Sequence, residues 1–209
     1  MTIICLEGAS AVGKSTTCQY LADHCGFSRI PEVNELFERP VTPASNWYLC
    51  RQVERWQMAE TVSAAGGQAV LDGDPFQPLW YNWIFNELDL QPVEDVIEFY
   101  RSAIQAEDIR FPDRYFLLTA PEEVLRVRTQ NDKSRSRRNF DMHLRLIRPQ
   151  INYFKQMNLI ERGRVKQLIA DERTVLGDII LSYLPEPSGD VILGVFFEAL
   201  CHFISHGDR

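Results

Sequence analysis

The chain has no Cys-x-x-Cys pair, and its five cysteines (Cys5, Cys18, Cys25, Cys50 and Cys201) are odd in number. That pattern excludes a disulfide framework and a zinc ribbon, so the thiols read as small core residues of a reducing compartment. Long apolar runs are also missing. The longest, VILGVFFEALCHFI at 191–204, is fourteen residues and is interrupted by Glu198 and His202, too short to cross a bilayer. The start MTIICLEG lacks a basic n-region and turns straight into a glycine loop, so it does not read as a signal peptide. Positive charge is in deficit: 22 Lys+Arg against 29 Asp+Glu give a net −7, which argues against a general nucleic-acid surface. The expectation is a cytoplasmic protein with no membrane or nucleic-acid partner.

What is present is a globular composition. The 209 residues are 45% hydrophobic and 24% charged, enough for one sizeable core. Apolar runs of strand length (TIICL, SRIPEV, QAVLD, RYFLLT, VKQLIA) alternate with segments of helical period. That alternation implies an α/β fold with a parallel sheet covered on both faces. Repeats, low-complexity tracts and long linkers are absent, so 1–209 is expected to form a single domain. Thr119 and Glu122 suggest a capping box for a helix beginning at Pro121. Phe140, Leu144, Ile147, Ile151 and Phe154 suggest one helix that Pro149 kinks or divides. The apolar helix at 189–206 is either core or the face of a homodimer.

The segment Gly8-Ala9-Ser10-Ala11-Val12-Gly13-Lys14-Ser15-Thr16 satisfies G-x-x-x-x-G-K-[ST] at every fixed position. Its glycines let successive N–H groups wrap a phosphate, and the helix that follows adds its positive end. Lys14 reaches the β- and γ-phosphates, and the Ser15 hydroxyl ligates Mg²⁺. Strand before and helix after supply the context the mechanism needs, so ATP or GTP binding is expected.

Four further features surround this loop. QAVLD ends in Asp72, with Asp74 close behind as a candidate substrate contact; a buried strand ending in Asp suits a Mg²⁺-orienting acid, and Asp74-Pro75 equally suits a turn. KSRSRR, within a segment of about 131–141, offers four cations in six residues. Arg135, Arg137 or Arg138, with Arg128 before them, are candidates to close over the transferring phosphoryl as a lid. Glu32 follows the second strand, at the sheet edge where ligands bind, and is a candidate base for an acceptor hydroxyl. Tyr48, Arg51, Gln52 and Arg55 share one stripe of the next helix, and with Trp80 and Trp83 they either line an acceptor pocket or serve as surface pairs and core. Asn-Lys-x-Asp does not occur, and the strand-three acid Asp72 is followed three residues later by Pro75 where a switch has Gly, which argues against a GTPase switch.

In order, EGASAVGKST, IPEV, the polar-faced helix, VLDGDP, and PEEVLRVR with KSRSRR resemble the deoxynucleoside kinase and thymidylate kinase group. The resemblance implies a P-loop three-layer sandwich with strand order 2-3-1-4-5 and ATP with Mg²⁺ as cofactors. It also implies Glu32 as base, Asp72 as metal-side acid and 133–138 as lid. In that group an arginine adjoins the strand-three acid, whereas here Gly73 stands there. The expected activity is transfer of the γ-phosphoryl to a hydroxyl of a nucleoside-like or other polar metabolite. A nucleoside monophosphate kinase, an antibiotic-modifying phosphotransferase and a non-catalytic ATP-binding regulator are the alternatives.

Overall fold

β1 (Thr2–Gly8) is buried along its whole length, as an unbroken apolar run at the centre of a parallel sheet must be. The computed structural model describes residues 2–88, 90–132, 140–184 and 192–207. Around β1 lie β2 (Phe27–Ile30), β3 (Gln68–Asp72), β4 (Arg114–Thr119) and β5 (Val165–Ile169). All neighbouring pairs are parallel and the order is β2-β3-β1-β4-β5, as the sequence led us to expect.

Period-2 alternation splits the apolar residues between two faces. Ile3, Cys5, Leu71, Tyr115 and Leu117 face the larger core, under α3 (Trp47–Ala64), α4 (Gln77–Ile84), α5 (Val93–Gln105), α8 (Ile147–Ile160) and α10 (Leu193–His206). Ile4, Leu6, Val70, Phe116 and Leu118 face the smaller one, under α1 (Lys14–His24), α6 (Glu122–Asn131) and α9 (Arg173–Ser182). Single-turn α2 (Val33–Leu36) and α7 (Phe140–Leu144) complete the set. Phe196, Phe197, Leu200 and Ile204 of α10 are buried within the chain against α5 and α8, so this apolar stripe is core. Among the described residues no helix is long and apolar enough to cross a membrane.

Two local expectations need correction, and for Pro149 the structure decides between kink and division. β2 stops at Ile30 and does not run on through Val33, because Pro31 has no N–H to continue the ladder beyond the Ile30–Leu71 pair. Thr119 does not cap α6. It is still in β4, paired with Ile169, and its hydroxyl donates to the Leu168 carbonyl at 3.2 Å; the N-cap is Pro121, with no side-chain cap. The segment around Pro149 is two helices divided before the proline, which lies in the first turn of α8, where its missing N–H costs nothing.

Candidate active site

The loop from Gly8 to Ser15 runs from the end of β1 into α1 with a backbone that only glycine-rich sequence tolerates. Gly8 has φ +144, and a Cβ there would stand 2.2 Å from the Leu118 carbonyl oxygen of β4. Ala11 has φ 66 and Gly13, the N-cap of α1, has φ 108. Positive φ at a non-glycine residue is strain of the kind that gathers at ligand clamps. Buried Val12 pins the loop into the smaller core. Lys14 Nζ donates to the Gly8 carbonyl at 2.7 Å and stands 4.0 Å from Glu7 Oε1. Arg128 of α6 reaches the same loop, donating to the Val12 carbonyl at 2.9 Å.

A cleft of about 970 Å³ opens over this loop, large enough for a nucleotide and a small second substrate. Every residue from Gly8 to Thr16 lines it, as do Glu32, Asp72, Tyr48, Gln52, Arg55, Asp74 and Trp80. Two members of the expected set stand elsewhere. Arg51 pairs with Glu54 and lies over the Phe37 ring. Trp83 packs on Phe203 of α10, ring centroids 5.3 Å apart, and is core. Arg135, Arg137 and Arg138, with the rest of 133–138, lie outside the described residues.

Two of the cleft's polar groups are committed to the protein. Asp74 accepts from Phe76 N–H at 3.0 Å, Trp80 Nε1 at 3.0 Å and Tyr115 Oη at 2.9 Å; it holds the wall together and is not open to a substrate. Trp80 thereby spends its only polar hydrogen. Arg55, 1% exposed, donates to the carbonyls of Pro31 (2.6 Å), Asp72 (2.8 Å) and Gly73 (3.1 Å), and to Gln52 Oε1. It therefore staples the end of β2 to the end of β3. Gly73, where the resemblance leads one to expect arginine, has φ +88, a turn that disfavours any side chain. A Cβ added there would stand 3.8 Å from Glu7 Oε2 and 3.9 Å from Glu32 Cγ.

Glu7 was legible only as a strand end, yet it is central. Its carboxylate accepts from Gly8 N–H at 2.7 Å, Asp74 N–H at 2.8 Å and Gln150 Nε2 at 3.3 Å. Burial raises its pKa against the pull of Lys14. For Lys14 burial alone favours the neutral amine, but Glu7, Glu32 and Asp72 together outweigh it, so its pKa is raised. Burial pushes the Tyr48 hydroxyl up to about 12; it donates to Gln77 Oε1 at 3.0 Å. On the far wall, from α7, His143 approaches Tyr81 Oη at 3.4 Å, and burial lowers its pKa toward the neutral ring.

Asp72 is fully buried. Its Oδ2 accepts from Arg29 at 2.8 Å, and its Oδ1 has no hydrogen-bond partner. An orphaned carboxylate oxygen at the cleft, with the Ser15 hydroxyl on α1, fits a divalent cation held mainly by phosphates and water. Among the described residues no cage of three or more His, Cys, Asp or Glu side chains exists.

The family model for an AAA domain matches residues 4–145. The chain belongs to the AAA domain family. In this AAA-domain chain the match runs from β1 through α7 and includes the phosphate loop, Glu32, Asp72 and Arg128. No curated protein matches it. Among solved structures, thymidylate kinase from Candida albicans aligns with TM-score 0.57 at 12% identity, covering 87% of this chain and 89% of that one. Deoxyadenosine kinase from M. mycoides with bound dATP aligns with TM-score 0.56 at 16% identity, covering 87% and 98%. The same enzyme with dCMP and dCDP bound gives 0.55 at 14%, covering 86% and 96%. The AAA-domain chain thus has the fold of these P-loop kinases.

The buried carboxylate pair predicts a pH signature. Burial, then the nearby Glu7 charge, push Asp74 from 3.8 up to about 7. Folding therefore favours the protonated form. The stability from this group is fully present below about 3.8 and is lost as pH rises through about 7, on the order of 4 kcal/mol. Melting temperature followed by calorimetry from pH 4 to 8 should fall across that window. Asp74→Asn should lower the whole curve and remove most of the slope. An unchanged slope would show that other groups set it.

Proposed function

We propose that this chain is an ATP-dependent kinase that transfers the γ-phosphoryl group to a hydroxyl of an uncharged, nucleoside-like small molecule. One observation carries the choice of a hydroxyl over a phosphate acceptor: beyond the loop and Arg128, which bonds the loop at Val12, the described cleft offers Glu32 but no uncommitted arginine or lysine. Arg51 is outside it, and Arg55 is spent on three carbonyls and Gln52. A monophosphate acceptor would need a cation there.

In this reading the loop amides and Lys14 hold the triphosphate, and Arg128 flanks it from α6. Ser15 and Asp72 would hold Mg²⁺, which supplies charge neutralisation of the β- and γ-oxygens. Glu32 orients the acceptor O–H and takes its proton as the oxygen attacks the γ-phosphorus and the bond to ADP breaks. Tyr48, Gln52 and Gln77 present amide and hydroxyl groups to the acceptor body. KSRSRR, which follows α6 in sequence and precedes α7, remains the proposed lid.

The test is a γ-phosphate transfer screen of nucleosides, nucleoside monophosphates and hydroxylated antibiotics. Turnover with nucleosides and none with monophosphates is expected. Turnover with monophosphates alone would overturn the acceptor assignment. ATP hydrolysis indifferent to every candidate would favour an ATP-binding regulator.

A further inference from the structure

Glu32 is carried by a turn too short to hold itself. Pro31 ends the ladder of β2, and Glu32 begins a single turn tied internally by Glu35 N–H and Leu36 N–H to the Glu32 carbonyl, 3.0 and 3.2 Å, and by Phe37 N–H to the Val33 carbonyl, 2.9 Å. Four residues of helix have little stability alone. Two arginines supply what the turn lacks, and both are anchored on the same end of β3.

Arg55 approaches from the face of the larger core and joins the Pro31 carbonyl to those of Asp72 and Gly73. Arg29 approaches from the other face, which it shares with Phe27 of the smaller core. Its Nη1 donates to Glu35 Oε1 at 2.9 Å, and its Nη2 to Glu35 Oε2 and Asp72 Oδ2, each at 2.8 Å. The fork thus spans from a fully buried carboxylate at the end of β3 to a carboxylate on the Glu32-bearing turn. The two ends are unequal. Asp72 is 0% exposed and Glu35 is 41% exposed at its side chain. The Asp72 end fixes the guanidinium, and the Glu35 end transmits that position to α2.

We infer that Arg29 is a positioning residue for the phosphoryl-transfer reaction, locking α2 to Asp72 so that the Glu32 carboxylate is held toward the cleft. This rests on the reading of Glu32 as base. Arg29 neither lines the cleft nor belongs to the phosphate loop, so it acts through its two carboxylate partners, Asp72 at the cleft and Glu35 on the turn, and Glu35→Gln isolates the second. A flat, two-pronged guanidinium does this and an ammonium does not, because lysine has no rigid fork to bridge two carboxylates.

The experiment uses the full chain with Glu35→Gln, Arg29→Lys, Arg29→Gln and the Arg29→Gln/Glu35→Gln double variant. Each is read by kcat and KM for ATP and acceptor, by melting temperature and by amide hydrogen exchange. Glu35→Gln cuts the tie at its exposed end: kcat should fall about tenfold through misplacement of the base, with KM for ATP and melting temperature unmoved. Exchange over 31–37 should rise about tenfold as the turn opens locally, while 8–17 stay protected. Arg29→Lys keeps a charge beside Asp72, so it should hold its melting temperature and still lose kcat. The double variant should be no slower than Arg29→Gln, since both act through one bridge.

Wild-type kcat and wild-type exchange over 31–37 in Glu35→Gln would overturn the inference. So would parallel loss of kcat, ATP binding and melting temperature in Arg29→Lys, the mark of a merely structural arginine. If no acceptor is turned over by the unaltered chain, the kinase reading fails, and exchange over 31–37 still decides whether the bridge holds the turn.

Discussion

Glu32→Gln should lower kcat by about 10²- to 10⁴-fold, the range for loss of a positioned general base. The amide has the size of the carboxylate and keeps the turn and its approach to Gly73, but it cannot take a proton. In the proposed reading ATP is held by the loop amides, Lys14 and Arg128, and the last two bond the loop carbonyls of Gly8, Ala9 and Val12, not Glu32. Calorimetric ATP affinity should therefore stay within about twofold, the signature of an interaction made only in the transition state. Full turnover in the Gln variant would remove Glu32 from the chemistry. Parallel loss of ATP affinity would make it a structural support of the loop.

Gly8→Ala should be the most damaging single change to the fold. Gly8 and Leu118 are register partners on the central strands, and the new methyl would lie 2.2 Å from a backbone oxygen. Leu118 is buried in the smaller core, so β4 has nowhere to retreat. Together with the strained φ this should cost roughly 4 kcal/mol or more, and nucleotide binding should vanish with the loop geometry. Gly26→Ala is the matched control. Its φ is also positive, +75, but nothing lies within 4 Å of its added methyl, so only the left-handed penalty of about 1–2 kcal/mol applies. Equal melting temperatures for the two variants would show that β4 can move aside.

Pairs of residues close in sequence show where reading the chain stops. Arg51 and Arg55 lie on one stripe of α3, yet one pairs with Glu54 at the surface while the other is buried across three carbonyls. Trp80 and Trp83 are three apart on α4; one donates to Asp74, the other packs on Phe203. Helical period places such residues on neighbouring faces, but which face meets the cleft depends on the rotation of the helix against the sheet. Gln150 reaches Glu7 across 143 positions, a separation no local pattern records. Asp74 read as a substrate contact because it follows the strand-ending Asp72 by two residues; its three protein donors come from α4, β4 and its own turn.

The amino-acid sequence by itself determined the parallel sheet and the phosphate loop, while the strand order followed from the family resemblance. The first two are written in consecutive residues: buried apolar runs alternating with helical segments, and glycines where φ must be positive. Tertiary structure decided the charge economy around the loop. It put Arg55 on the carbonyls, Arg29 on Asp72 and Glu35, and Glu7 between Lys14 and Asp74. Those choices follow from burial, because a desolvated charge must find partners wherever the fold delivers them, and the fold delivers them from segments far apart in the chain.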